Sequence, residues 1–326
     1  MNWREGSLYH CLLLIFAGAG DLRRPHAVTE PISSDFDGTG IQDKVVWITG
    51  ASQGIGEVLS KEFATHGAKL ILSARRLSEL ERVRGTLSGS NAPDSIVLIP
   101  LDITAGEEVI SEAVEKAEAA FGGNGIDIMV HNASAPRPQV AYSKIAEDST
   151  KTSFAVNVIG TIALTKILAP KMAERGRGHF AVLSSVAGKV PAPGQSVYSA
   201  TKFAVNGYFD TLRSEIGYTG VKVSLICPGP VKTDPTSTDD RQPLPRVTEL
   251  IIRSIYYEME ETWIAQQPIL SMLYLRQHFP LLASFVLQKL GPKRGEEVLD
   301  AGQNFSPLSG AKGRGVLEPA TLPQAG

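Results

Sequence analysis

The 326-residue chain predicts an α/β fold: a doubly wound, seven-stranded parallel sheet in a single domain. Three observations carry that expectation. From Lys44 onward, short apolar runs rich in β-branched residues alternate with longer helical stretches. The runs are apolar on both faces, as strands covered by helices on either side must be. The first run leads straight into a glycine-rich turn and then a helix, the opening unit of such sheets.

Taken in order, the strands are expected at residues 45–49, 70–73, 96–100, 128–131, 180–184, 223–227 and 262–265. Helices are expected between them at 55–65, 78–87, 107–121, 152–175, 197–216 and 246–260. Right-handed crossovers leave few topologies open. No internal repeat occurs. Residues 25–42 are rich in Pro, Ser, Asp and Gly and read as a linker. Residues 268–303 read as an apolar helical extension interrupted at Pro280, and 304–326 as a disordered tail.

Composition narrows the function classes. Apolar residues make up 43% of the chain, enough for a substantial core. Formal charge is −2, so no global excess recruits nucleic acid. The two cysteines, Cys11 and Cys227, could form at most one disulfide, and no Cys/His spacing fits a metal site. Within residues 1–24, residues 8–20 are uncharged and mostly apolar, with Arg4 before them and Arg23 and Arg24 after. That run is shorter than the roughly 20 residues that span a bilayer. A short membrane anchor, a removed targeting peptide and an unstructured start all fit it.

The first strand ends in Thr49-Gly50-Ala51-Ser52-Gln53-Gly54-Ile55-Gly56. Glycines here let the backbone turn sharply and approach a pyrophosphate at a helix N-terminus. The strand and helix around the turn supply the context that this Rossmann-type motif requires. The second strand ends in Ser73-Ala74-Arg75-Arg76. NAD-preferring sites place an acid there, which would repel a 2′-phosphate. Two guanidiniums in its place favour NADP(H), with Arg75 the expected phosphate ligand and Arg76 a solvated helix-start residue. Asp102 with Ile103, and Asn132 with Ala133, follow the third and fourth strands at the edge where ligands bind.

Tyr198 and Lys202 stand four residues apart on a helix and share a face. A cation beside a phenol stabilises the phenolate, which makes a tyrosine usable as an acid–base group. Ser184 and Ser185 close the fifth strand, and a hydroxyl there can hold a developing alkoxide. No base neighbours either serine in sequence, and no G-x-S-x-G elbow occurs, so a serine hydrolase is disfavoured.

Together these motifs resemble the classical short-chain dehydrogenase/reductases over residues 44–265. The resemblance implies that residues 43–267 form an NADP(H)-binding domain that interconverts a carbonyl and a secondary alcohol. It implies Tyr198 as acid–base residue, Lys202 on the nicotinamide ribose, Ser185 on the substrate oxygen, and Asn157 bending its helix and holding a relay water. Cys227-Pro228-Gly229-Pro230-Val231-Lys232-Thr233 is similar to the segment against the nicotinamide, implying Pro228, Gly229, Val231 and Thr233 as cofactor neighbours. Residues 263–268 and 291–294 are similar to the member-seven group of this family, and residues 43–47 and 188–194 to its plant members. That likeness implies a lipophilic substrate (steroid-, retinoid- or xenobiotic-like) and the endoplasmic reticulum membrane, with the cytoplasm as the other reading. It also implies a homodimer through 152–175 and 197–216, unless a membrane-anchored form is monomeric.

Two departures stand out. Ser134 replaces a glycine in the family's Asn-Asn-Ala-Gly, and His131 replaces its first Asn. The segment 232–245 is short and polar where relatives carry a longer lid. These motivate a second reading, a non-catalytic NADP(H)-binding scaffold or redox sensor. The arginine assignment has its own test: Arg75→Glu shifts the ratio of kcat/KM values for NADPH and NADH toward NADH, and an unchanged ratio refutes it.

Overall fold

In the computed structural model, residues 26–27, 36–88, 95–137, 142–233 and 241–301 are described. In chain order the elements begin with β1 (His26–Ala27), β2 (Val45–Thr49), α1 (Gly54–Thr65), β3 (Lys69–Ser73), α2 (Leu77–Arg84) and β4 (Ile96–Leu98). Next come α3 (Glu107–Gly123), β5 (Ile128–His131), α4 (Glu147–Phe154), a π-helical segment (Ala155–Gly160) and α5 (Thr161–Glu174). The chain then forms β6 (Gly178–Leu183), α6 (Ser196–Ile216), β7 (Val221–Pro228), β8 (Val231–Lys232), β9 (Gln242–Pro243), α7 (Leu244–Tyr256) and β10 (Glu261–Ile264). It finishes with α8 (Ile269–His278) and α9 (Pro280–Ala301).

The main sheet is parallel throughout, in the order β1-β10-β7-β6-β5-β2-β3-β4. The seven strands expected from the sequence are all present, and the two-residue β1 adds an eighth at the edge beside β10. Strand order reverses between β2 and β5, which opens a crevice at their carboxyl ends.

Alternation along each strand divides the core between the two faces. Val46 and Ile48 pack with Leu59 and Phe63 of α1 and Leu250 and Ile251 of α7. Val45 and Trp47 pack with Ile110 and Val114 of α3, Leu164 and Leu168 of α5, and Phe209 of α6. Both faces are therefore dry, which is why the strands read as continuous apolar runs. The expected helix at 152–175 instead begins at Glu147 and carries the π segment within it. Residues 147–174 are also long and apolar enough to cross a membrane, yet half of the apolar window is buried within the fold. Core packing accounts for that composition.

The extension after β10 is split where Pro280 predicts: α8 ends at His278 and α9 starts at Pro280. Its inner residues Leu270 and Leu273 cover Cys227 and Trp263, while Phe279, Leu281, Leu282 and Phe285 face outward. The chain ends expected to be an anchor (residues 8–20) and a disordered tail (304–326) lie outside the described residues.

Two core histidines are held neutral. His131 ends β5, meets the Thr165 hydroxyl at 2.9 Å and stacks on Phe180. Burial pushes its pKa down to about 3. His179 meets the Ser224 hydroxyl at 2.8 Å, and burial, helped by Lys222, brings its pKa to about 4. His131 is thus a structural residue and no catalyst. The unfolded chain takes up both protons first, so stability is full above about pH 6.5 and falls as pH drops toward the folded values. Denaturant unfolding at pH 7.5 and pH 5 should show a loss on the order of 2 kcal/mol per histidine. His131→Asn should reduce that pH dependence.

Candidate functional site

The site begins at the turn between β2 and α1. Gly50 and Gly54 have φ of 66° and 57°, in the left-handed region that only glycine enters freely. A Cβ on Gly50 would stand 2.9 Å from the Ala133 Cα. A Cβ on Gly56 would collide with the Gly50 carbonyl oxygen and the Asn132 side-chain nitrogen. Asn132 Nδ2 donates to the Thr49 and Gly50 carbonyls at 2.9 and 3.0 Å. The Thr49 hydroxyl accepts from the Asn132 and Ala133 amides at 3.2 and 3.3 Å. The two loops that flank the switch point are therefore clasped together. Arg82 donates to the Ser52 carbonyl at 2.9 Å and is itself paired with Glu57. The Arg82 hydrogen bond holds the Glu57 carboxyl at a pKa of about 2.

The crevice has a volume of about 760 Å³, the size of a cofactor or ligand pocket. Gly50, Ser52, Gln53, Gly54 and Ile55 line one part, and Arg75, Asp102, Ile103, Asn132, Ala133 and Thr233 extend it. All of these are expected from the sequence. Thr49, Ser73 and Arg76 of the motif segments line it too, and so do residues without a motif, among them Thr104, Pro136, Thr152 and Val156. Arg75 and Arg76 are exposed after β3. Both residues border the crevice, so the separation of a ligand arginine from a solvated one is not drawn by position. Asp102 Oδ1 accepts from the Thr104 amide and hydroxyl at 2.9 and 2.7 Å, fixing its loop. The glycine cradle and the helix N-terminus fit the pyrophosphate of a dinucleotide, and two exposed cations stand beside them.

The second half of the site lies on α6 and the strand ends beside it. Lys202 is buried, and its Nζ donates to the Leu183 carbonyl at 2.8 Å. That nitrogen lies 5.7 Å from the centre of the Tyr198 ring. The Ser185 hydroxyl donates to the Pro228 carbonyl at 3.3 Å and accepts from the Ala187 amide at 3.1 Å. Gly229 continues that strand end through its amide to the Ile264 carbonyl at 2.8 Å. Ser184 bonds Asn206 at 2.6 Å, so its role is to fix α6. Asn157 sits in the π segment, buried. Its Oδ1 accepts from the Ala135 amide at 2.8 Å and the Ser134 hydroxyl at 3.1 Å. Its Nδ2 donates to the Thr201 hydroxyl at 3.1 Å, and Thr201 donates to the Tyr198 carbonyl at 2.8 Å.

Tyr198, Lys202, Ser185, Asn157, Gly56, Pro228, Gly229 and Val231 are not among the residues lining the crevice. Asn157 is joined to its wall through Ser134 and Ala135, and Gly56 through Gly50 and Asn132. Ser134 adopts no left-handed backbone, and its hydroxyl adds a bond to Asn157. The short segment 232–245 is pinned at its ends, where Val231 pairs with Gln242 and Lys232 with Pro243. Residues 234–240 between them lie outside the described set. The Cys227 thiol is buried and free, and burial raises its pKa to about 12, which removes it as a nucleophile.

Comparisons with known proteins agree with this geometry. The family model for short chain dehydrogenase matches residues 44–243. "Dehydrogenase/reductase SDR family member 7" of Homo sapiens is 36% identical over 275 residues, covering 78% of this chain and 80% of the relative. "Dehydrogenase/reductase SDR family protein 7-like" of Drosophila melanogaster is 39% identical over 193 residues, 58% of each chain. A solved short-chain dehydrogenase from Streptomyces avermitilis superposes with a TM-score of 0.64 at 25% identity, covering 78% of this chain and 98% of that one.

The clasp at the glycine turn gives a direct test. Gly56→Ala forces Gly50 and Asn132 apart and should cost about 1–3 kcal/mol, lowering Tm by roughly 2–10 °C. A melting curve unchanged from wild type contradicts the packing described.

Proposed function

The chain belongs to the short-chain dehydrogenases, a family of NAD(P)-dependent oxidoreductases, and on that footing we propose that it is an NADP(H)-dependent carbonyl reductase or alcohol dehydrogenase. Its substrate is a lipophilic carbonyl or secondary alcohol. The observation that supports the reading is Lys202 Nζ 5.7 Å from the Tyr198 ring, on a helix that Asn157 holds through Thr201, with Ser185 at the carboxyl end of β6.

Gly50, Gly54 and the start of α1 hold the pyrophosphate, and Arg75 with Arg76 takes the 2′-phosphate. Bound there, the cofactor supplies or accepts the hydride. Lys202 leaves or shares the Leu183 carbonyl to hold the nicotinamide ribose. Beside the charge of Lys202, the Tyr198 phenol gives its proton to the substrate oxygen in reduction, and its phenolate takes a proton from the substrate hydroxyl in oxidation. Ser185 turns its hydroxyl from the Pro228 carbonyl to the same oxygen. Asn157 acts at one remove, fixing Thr201 and so the turn of α6 that carries Tyr198. Val231 and Thr233 would hold the nicotinamide carboxamide when the cofactor is bound.

Two wider readings rest on less. The apolar residues 8–20 support attachment to the endoplasmic reticulum membrane. Exposed Ile159 and Phe203, on the two helices that the resemblance assigns to a dimer face, support a homodimer.

Tyr198→Phe removes the proton donor without removing the crevice. Turnover of a panel of lipophilic ketones and alcohols should fall below detection while NADPH binding, read by nicotinamide fluorescence, persists. Retained turnover sinks the mechanism. NADPH binding by the wild-type protein without turnover of any panel member favours the scaffold reading.

A further inference from the structure

The turn between α8 and α9 presents an apolar surface outward. Phe279, Leu281, Leu282 and Phe285 are 63%, 88%, 52% and 58% exposed. Leu281 and Leu282 each lie one helical turn before Phe285, so the three share a face, while Ala283 points inward and is fully buried. The face is held in place: Arg276 Nη1 of α8 donates to the Ser284 hydroxyl of α9 at 3.0 Å. Elsewhere, large exposed apolar side chains stand singly, as at Leu77, Val109, Tyr142 and Tyr218. Single exposures are ordinary, whereas a cluster marks a contact surface.

The charge in this segment has one sign. Residues 262–295 contain no Asp or Glu, and their cations are Arg276, Lys289, Lys293 and Arg294. The whole chain has a formal charge of −2, so this positive stretch is local. Lys289 Nζ lies 5.6 Å from the centre of the Phe285 ring, which puts a cation at the border of the apolar face. Aromatic and leucine side chains bordered by cations match a bilayer that carries anionic headgroups. Chain order points the same way. β1, the first described element after the apolar residues 8–20, pairs with β10, and β10 leads into α8. The two apolar segments therefore adjoin the same edge of the sheet.

We propose that the α8–α9 turn docks on the surface of a bilayer with anionic headgroups, its four apolar side chains among the acyl chains and Lys289 at the phosphates. This contact is separate from any attachment through residues 8–20. It also bears on the site. Leu270 and Leu273 of α8 belong to a cluster against which Val186 and Val190 pack, just after Ser185. A Cβ on Gly291 of α9 would stand 4.0 Å from the Pro193 ring. The docking helices are thus built on the loop that joins Ser185 to Tyr198, and docking brings that loop to the lipid. Delivery of a lipophilic substrate from the bilayer rests on the oxidoreductase reading above, and the docking itself does not.

The test uses full-length protein with Cys11→Ser and one labelled cysteine, Leu281→Cys on the patch or Tyr218→Cys as control. Tyr218 is exposed ahead of β7, at the opposite edge of the sheet, and Cys227 is buried away from the label. Each carries a bimane fluorophore and is mixed with phosphatidylcholine–phosphatidylserine vesicles whose acyl chains are brominated. Quenching by the bromines should be strong at 281 and absent at 218, and Leu282→Cys should repeat the result at 281. Lys289→Gln should weaken binding to these vesicles about 5-fold at low salt, the worth of one cation at the surface. Equal quenching at 281 and 218, or none at either, overturns the proposal. Equal quenching at 281 on vesicles of phosphatidylcholine alone overturns the role given to the anionic headgroups. A label at 281 that is shielded before vesicles are added also overturns it: shielding that grows with protein concentration assigns the face to a second copy, and constant shielding assigns it to the chain itself. No turnover is measured, so failure here leaves the oxidoreductase reading standing.

Discussion

The buried amide of Asn157 is the constraint on which the rest of the site depends. One oxygen receives the Ala135 amide and the Ser134 hydroxyl, and one nitrogen reaches Thr201. Three separate elements meet at this group: the loop after β5, the helix that carries Asn157, and the helix of Tyr198 and Lys202. A π-helical segment at Ala155–Gly160 makes the meeting feasible. It adds about one residue to the turn, which re-aims the side chains within it and is a common device at functional sites. Gly160 reinforces the fit, since a Cβ there would strike the Ile103 carbonyl, on the loop after β4 that also lines the crevice.

The crevice and the reactive groups differ in their electrostatics. Arg75 and Arg76 are exposed, where a cation is fully hydrated and can meet a phosphate at little cost. Lys202 is buried, 5.7 Å from the centre of the Tyr198 ring, where charge acts at higher strength than in water. The fold makes this division with its strand order. The exposed cations follow β3, on one side of the switch point, and the buried Lys202 lies on α6, the helix after β6 on the other.

Much of this was legible in the sequence because it is periodic or local. Dry strands with helices between them fix β2 to the residue, and the glycine turn and the Tyr-x-x-x-Lys spacing need only local geometry. What was not legible depends on contacts distant in sequence. The start of the long helix at Glu147 lies in a polar stretch without an apolar stripe, and the π segment has no sequence period of its own. β1 is two residues long and exists by pairing with β10. Ser134 reads as the loss of a glycine, yet the loop has no left-handed residue there and gains a hydrogen bond. Arg137 is a lone arginine between prolines until the fold sets it against Tyr198. Its only advance signal is its place a few residues past the Asn132 loop.

The most direct measurement is a crystal structure of the protein with NADP+ bound. The account predicts the 2′-phosphate against Arg75 and Arg76, the pyrophosphate at Gly50–Gly54, and the nicotinamide ribose within hydrogen-bond reach of Lys202 Nζ and the Tyr198 hydroxyl. A dinucleotide that leaves Lys202 on the Leu183 carbonyl, with its nicotinamide away from Tyr198, would contradict it.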